Sequence, residues 1–228
     1  MLKYLINLPG KFGWRTWATT IALGVAINVS SALPAAAAKK ASPSFFNSME
    51  TKSTNFRPFK KWTKAVKRYV KEKSRMEGSC DDPKLNKCSY NMWMKFLDGL
   101  KGQNKMDQIT KVNSFFNRAK YLTDQRNYSR KDYWASPGEF FAKSGDCEDY
   151  AISKFLSLQM LGFGPEEIRV VAVKDLNLRV GHAVLVVLLE DGNYLLDNQI
   201  KQVVETSTVR HYQPVFSLGS KAWWRHRK

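Results

Sequence analysis

Cys147 follows the chain-breaking Ser144-Gly145 and precedes apolar residues at helical spacing, Ile152, Phe155, Leu156 and Leu158, a pattern that Gly162 stops. A helix opening at Asp146 or Cys147 places the thiol in its first turn. There the unpaired amides and the positive end of the dipole favour thiolate over thiol, and the same amides can stabilise an oxyanion. The plain alternative is a small buried hydrophobe, which is what most free cysteines are. A thiolate nucleophile needs a base and a group that orients it. Of the three histidines, His182, His211 and His226, only His182 stands at the start of a core strand, and Gly181 before it permits close approach of a backbone or substrate. Asp197 ends the apolar run Tyr194-Leu195-Leu196, where a carboxylate is otherwise out of place, and is the natural partner for the imidazole.

The elements that must position these residues are legible on either side. Ser136-Pro137-Gly138-Glu139 reads as a helix entry, with a capping residue, proline at the first helical position and Glu at the third, and the helix should reach Lys143. Past Pro165 the pattern turns to strands at 168–173, 183–189 and 194–196, with Glu190-Asp191-Gly192-Asn193 supplying a hairpin turn. Helices first and antiparallel strands second make an α+β domain. A two-residue turn at Asp191 and Gly192 sets position 182 opposite 201, which leaves Asp197 on the face of His182 but about 13 Å away, so a bulge, twist or asymmetric turn has to close the gap.

Upstream, Phe59, Trp62, Val66, Tyr69 and Val70 recur at helical spacing, while Lys60, Lys61, Lys64, Lys67, Arg68, Lys71 and Lys73 fill the other face. This basic amphipathic helix is either an anion-docking face or a solvated face over a packed stripe. Two more helices follow, around Tyr90, Trp93, Phe96, Leu97 and Leu100, then Met106, Ile109, Val112, Phe115, Phe116 and Ala119. No internal repeat is visible.

With 228 residues, 43% of them hydrophobic, the chain can bury one sizeable core, which excludes a disordered tail and a polytopic membrane protein. Thirty-seven Lys and Arg against 20 Asp and Glu give a net charge of +17, suited to anionic lipid, cell-wall polymers or acidic proteins. Residues 1–38 carry Lys3, Lys11 and Arg15, then an apolar stretch, then small residues ending in Ala35 to Ala38, the order of a cleaved export signal; an uncleaved membrane anchor is the alternative. Residues 39–57 read as a flexible polar leader and 58–228 as the folded domain. Export to the periplasm leaves cell-wall and membrane polyanions as contacts rather than nucleic acid, and an oxidising compartment permits a bridge between Cys80 and Cys88 around Asp81-Asp82-Pro83. No cysteine spacing suits a zinc site.

Gly145-Asp146-Cys147-Glu148-Asp149-Tyr150-Ala151-Ile152, with Asp132-Tyr133-Trp134-Ala135-Ser136-Pro137 before it and Gly181-His182-Ala183-Val184-Leu185, Leu195-Leu196-Asp197-Asn198 and Tyr212-Gln213-Pro214-Val215-Phe216-Ser217 after it, resembles the bacterial transglutaminase-like cysteine proteinase family, that of LapG-type periplasmic proteases. The resemblance runs from about 104 to 224. It implies a papain-like or transglutaminase-like core whose nucleophile helix packs on an antiparallel sheet, with Cys147 as nucleophile, His182 as base and Asp197 as orienting acid. It also implies a calcium site using Asp146 and Glu148, whose hard oxygens suit that ion; the alternative is that both acids only complement the helix dipole. Among partners it implies a protein substrate such as a large surface adhesin, and an inner-membrane regulatory receptor. An acyl transferase or amidase on the same residues, or a non-catalytic basic binding module, are the competing functions.

Overall fold

The computed structural model describes residues 45–75 and 77–228, so the expected export signal and the first residues of the leader lie outside the described residues. Six helices come before most of the sheet: α1 (Lys60–Lys73), α2 (Lys87–Asp98), α3 (Lys105–Phe116), α4 (Asp124–Tyr128), α5 (Pro137–Lys143) and α6 (Cys147–Met160). The strands are β1 (Met49–Ser53), β2 (Ile168–Asp175), β3 (Val180–Leu188), β4 (Asn193–Leu196), β5 (Val204–Glu205), β6 (Tyr212–Leu218) and β7 (Trp223–Arg227). They form one antiparallel sheet in the order β1-β7-β6-β2-β3-β4-β5. The α+β class expected from the sequence is the observed one. Among the described residues no helix is long and apolar enough to cross a membrane.

Alternation along β2 and β3 splits the core in two. Ile168, Val170, Leu185 and Val187 join the helical side, where Trp93, Phe116, Phe155 and Leu158 pack. Val171, Val173, Val184 and Val186 face the other side, under Phe45, Val209 and Tyr212. Helix α6 is buried on all sides from Asp149 to Leu158, since it runs between the sheet and α3 and α5. A helix so enclosed has little amphipathic contrast, and its polar residues must find partners inside: Trp93 Nε1–H donates to Ser157 Oγ at 2.9 Å and Tyr150 Oη–H to the Ala119 carbonyl at 2.7 Å.

The segment expected as a flexible leader is partly folded. Phe45 is buried, and β1 pairs with β7 from Met49 opposite Arg227 to Ser53 opposite Trp223. The cause is a buried ion pair, Arg169 Nη1–H to Glu50 Oε2 at 2.8 Å, with the guanidinium 3.6 Å over the Trp224 ring. In α1 the buried stripe is Trp62, Ala65, Tyr69 and Glu72, whereas Val70 is exposed, a correction of one position in the expected stripe. Its basic face is divided: Lys61 pairs with Asp132 and Arg68 with Glu139, while Lys60, Lys64, Lys67, Lys71 and Lys73 face solvent. Cys80 and Cys88 are joined. Strands β6 and β7, not read from the pattern, complete the sheet; Pro214 sits at a shift of register with β2 between Ala172 and Val173, where a strand tolerates proline.

Candidate active site

Helix α5 ends at Ser144, which has a positive φ of 64°, and Gly145 then passes so close to Asp149 that a Cβ there would lie 2.2 Å from Oδ2. Only glycine fits this approach. It lets the Asp146 N–H donate to Asp149 Oδ2 at 3.2 Å, which caps α6 and leaves Cys147 as its first residue. The thiol is free and half-buried.

His182, near the start of β3, is 6% exposed, and its Nε2 lies 2.9 Å from Asp197 Oδ1. The hairpin explains how. Leu189 N–H bonds to the Gly192 carbonyl at 2.9 Å, so the turn residues are Glu190 and Asp191, one position earlier than Asp191 and Gly192. Leu185 then pairs with Leu196, and β4 ends there. The register brings Asp197 two positions closer to His182 along β3, and the chain leaving the strand closes the rest. Asp197 is held from every side: Tyr212 Oη–H donates to Oδ2 at 2.7 Å, Gln199 N–H to Oδ1 at 2.9 Å, and Asn117 Nδ2–H to its carbonyl at 2.7 Å. Burial works against the carboxylate, but the hydrogen bond and charge of His182, with those donors, keep its pKa below the ordinary aspartate value.

Cys147, His182 and Gly181 line one cleft of about 840 Å³, with Trp134, Lys61 and Asp132 on its far wall. The thiol donates to Glu148 Oε2 at 3.3 Å. Burial, then the charges of Glu148 and Asp146, push its pKa well above the cysteine value. This reverses the expectation of a dipole-favoured thiolate, because two flanking carboxylates and burial outweigh the partial charge of the helix end.

Those carboxylates belong to a larger group. Oxygens of Asp124, Asp146 and Asp149 lie within 4.8 Å of one another, as do those of Asp124, Asp132 and Glu148. Asp124 Oδ1 and Asp146 Oδ1 are buried with no hydrogen-bond partner. Burial first, and neighbouring acids second, raise Asp124 to about 6; burial with Asp146 and Asp149 raises Glu148 to about 10. Unpartnered hard oxygens under mutual repulsion fit a calcium-sized cation. Asp146 and Glu148 were marked by their place beside Cys147; Asp124 and Asp132 were not, since only the fold of the 124–135 loop onto the start of α6 brings them in.

The family model for bacterial transglutaminase-like cysteine proteinases matches residues 77–224. The chain belongs to that family. The proteinase is similar to LapG of Legionella pneumophila, with 30% identity over 71% of this chain and 87% of LapG and a TM-score of 0.57. A calcium-bound LapG structure gives the same values, and an EGTA-treated one a TM-score of 0.58 over 72% of this chain and 86% of LapG. Comparison with curated proteins gives no match. The proteinase is therefore a cysteine peptidase acting on protein, with an acidic cluster able to hold a metal ion.

Proposed function

We propose that the proteinase is an exported, calcium-supported endopeptidase in which Cys147 is the nucleophile, His182 the base and Asp197 the acid that orients it. The observation that carries this reading is the buried His182 and Asp197 pair opening onto the cleft that holds the one free thiol among the described residues. With Nε2 committed to Asp197, His182 has Nδ1 left to take the thiol proton. Cys147 leaves Glu148 by rotation about its side chain, and its thiolate attacks the scissile carbonyl, whose oxyanion meets the first-turn amides of α6. His182 returns the proton to the leaving amine. It then draws a proton from the water that hydrolyses the thioester, and the thiol is restored. Asp124, Asp146 and Glu148 with Asp132 would hold calcium, whose positive charge would draw the Glu148 carboxylate off the thiol.

Export is supported by the residue order of 1–38 and by the Cys80 and Cys88 bridge. A periplasmic setting then suits a surface adhesin as substrate, an inner-membrane receptor as regulator, and an anionic envelope surface facing the solvent-exposed lysines of α1. Cys147→Ala should lose at least about 1,000-fold in turnover of a protein substrate while melting within a few degrees of the parent. Retained turnover overturns the assignment. Product masses showing hydrolysed ends rather than amine adducts support peptidase over acyl-transferase chemistry.

A further inference from the structure

We propose that Lys154 is a positioning residue of the active site: through Asn113 it fixes the turn after β4 and so holds Asp197 against His182. This rests on the endopeptidase reading and adds to it what sets the geometry of the triad.

A lysine is almost never fully buried unless a partner is there for it. Lys154 lies on α6 seven residues after Cys147, two turns and about 10.5 Å further along the same side of the helix, and is 0% exposed. Burial pushes its pKa from 10.5 down to about 7, while the charge of Asp197 pulls the other way. On packing grounds alone an apolar residue would serve better in a helix so enclosed. The ammonium instead donates to Asn113 Oδ1 at 2.7 Å.

An ammonium can only donate, so it admits one orientation of the Asn113 amide, with the carbonyl oxygen toward Lys154 and the nitrogen away from it. Asn113 Nδ2–H accordingly donates to the Lys201 carbonyl at 3.1 Å. One turn further along α3, Asn117 Nδ2–H donates to the Asp197 carbonyl at 2.7 Å. The two asparagines thus grip both ends of 197–201, a stretch outside the ladder, since β4 ends at Leu196 and β5 begins at Val204. This is the bend that brings Asp197 to 2.9 Å from His182. Asn117 caps the end of α3, whereas Asn113 is 1% exposed and a full turn inside the helix, so it is the firmer grip. Without Lys154, Asn113 Oδ1 is left buried with no donor, and the amide is free to turn over and release Lys201.

Lys154→Met tests this, because methionine keeps an unbranched apolar stem and removes the donor. With calcium present, kcat on a protein substrate should fall at least about tenfold while KM stays within about twofold of the parent, because Lys154 is sealed from the cleft. The variant should melt within a few degrees of the parent, since relief of the buried ammonium offsets the unpaired amide oxygen. Adding Asn113→Leu removes that oxygen as well, so the double variant should fold at least as firmly as the parent and stay as slow as Lys154→Met. In the proton NMR spectrum of the Cys147→Ala protein, the far-downfield proton of the His182 and Asp197 hydrogen bond should broaden or vanish when Lys154→Met is added. Parent-like kcat in either variant, a loss confined to KM, or an unchanged His182 proton overturns the positioning role. So does a double variant that melts well below the parent, which marks a merely structural lysine. The NMR reading needs no turnover: if the endopeptidase reading fails because Cys147→Ala stays active, the His182 proton still decides whether Lys154 sets the pair.

Discussion

Two buried sets of charge lie in this molecule, one between β1, β2 and β7 and one at the start of α6, and they are balanced in opposite ways. The first pairs opposite charges: Arg169 meets Glu50, the guanidinium stacks on Trp224, and His226 is held between Ser48 at 2.8 Å and Ser217 at 2.9 Å, while Glu50 Oε1, Arg169 Nε and Trp224 Nε1 keep no hydrogen-bond partner. The second gathers Asp124, Asp146, Glu148 and Asp149 with no buried cation among them in the described residues, and two of its oxygens have no partner. A cluster whose charges are paired holds a strand in place. An uncompensated one favours a cation or protons.

The comparison breaks most visibly if single charges are removed. Arg169→Met leaves Glu50 buried and unpaired and should cost about 3–5 kcal/mol in denaturant unfolding, most of it recovered in Arg169→Met with Glu50→Gln. At α6 the sign should reverse: Glu148, raised to about 10, must take up a proton to fold at pH 7, and Glu148→Gln removes that cost and should stabilise the calcium-free protein.

Calcium should act on the second cluster alone. At a hundredfold excess over its dissociation constant it should add about 2.7 kcal/mol to the stability of the parent protein, and a chelator should remove that gain together with activity. Calorimetry in buffers of different ionisation enthalpy should show proton release on binding at pH 7, because Glu148, raised to about 10, holds a proton that the ion displaces. Calcium-independent activity with no heat of binding would remove the distinction between the clusters.

Acid should act on the first. Ser48 Oγ–H donates to the Phe45 carbonyl, so His226 Nδ1–H donates to Ser48 and Nε2 accepts from Ser217, a pattern that needs the neutral ring. Burial, then the charge of Arg169, lower its pKa from 6.5 to about 4. Between those values the unfolded chain binds the proton that the folded one refuses, so stability is complete above pH 6.5 and falls as pH drops toward 4, by about 3 kcal/mol. His226→Gln should flatten that slope in urea titrations at pH 4 to 7.

The sequence carried the local signals: the caps at Ser136 and Asp146, Cys147 at the head of α6, the helices around Trp93 and Ile109, and the strands on both sides of the Glu190 turn. Each depends on residues within about four positions, where capping chemistry and apolar period act. His182 at the start of a core strand and Asp197 at the end of an apolar run were also legible, and the resemblance around Cys147 implied their roles. Only the tertiary structure decided the rest. A register shifted by one turn residue, and a chain bending after Leu196, bring Asp197 to His182, and no local pattern specifies either. Folding of β1 from an apparently polar leader depends on Arg169, 119 residues away. The thiol's suppressed acidity depends first on burial and then on Glu148 and Asp146 beside it; those acids are adjacent in sequence, but the water the thiol has lost is decided by distant parts of the chain packed over it.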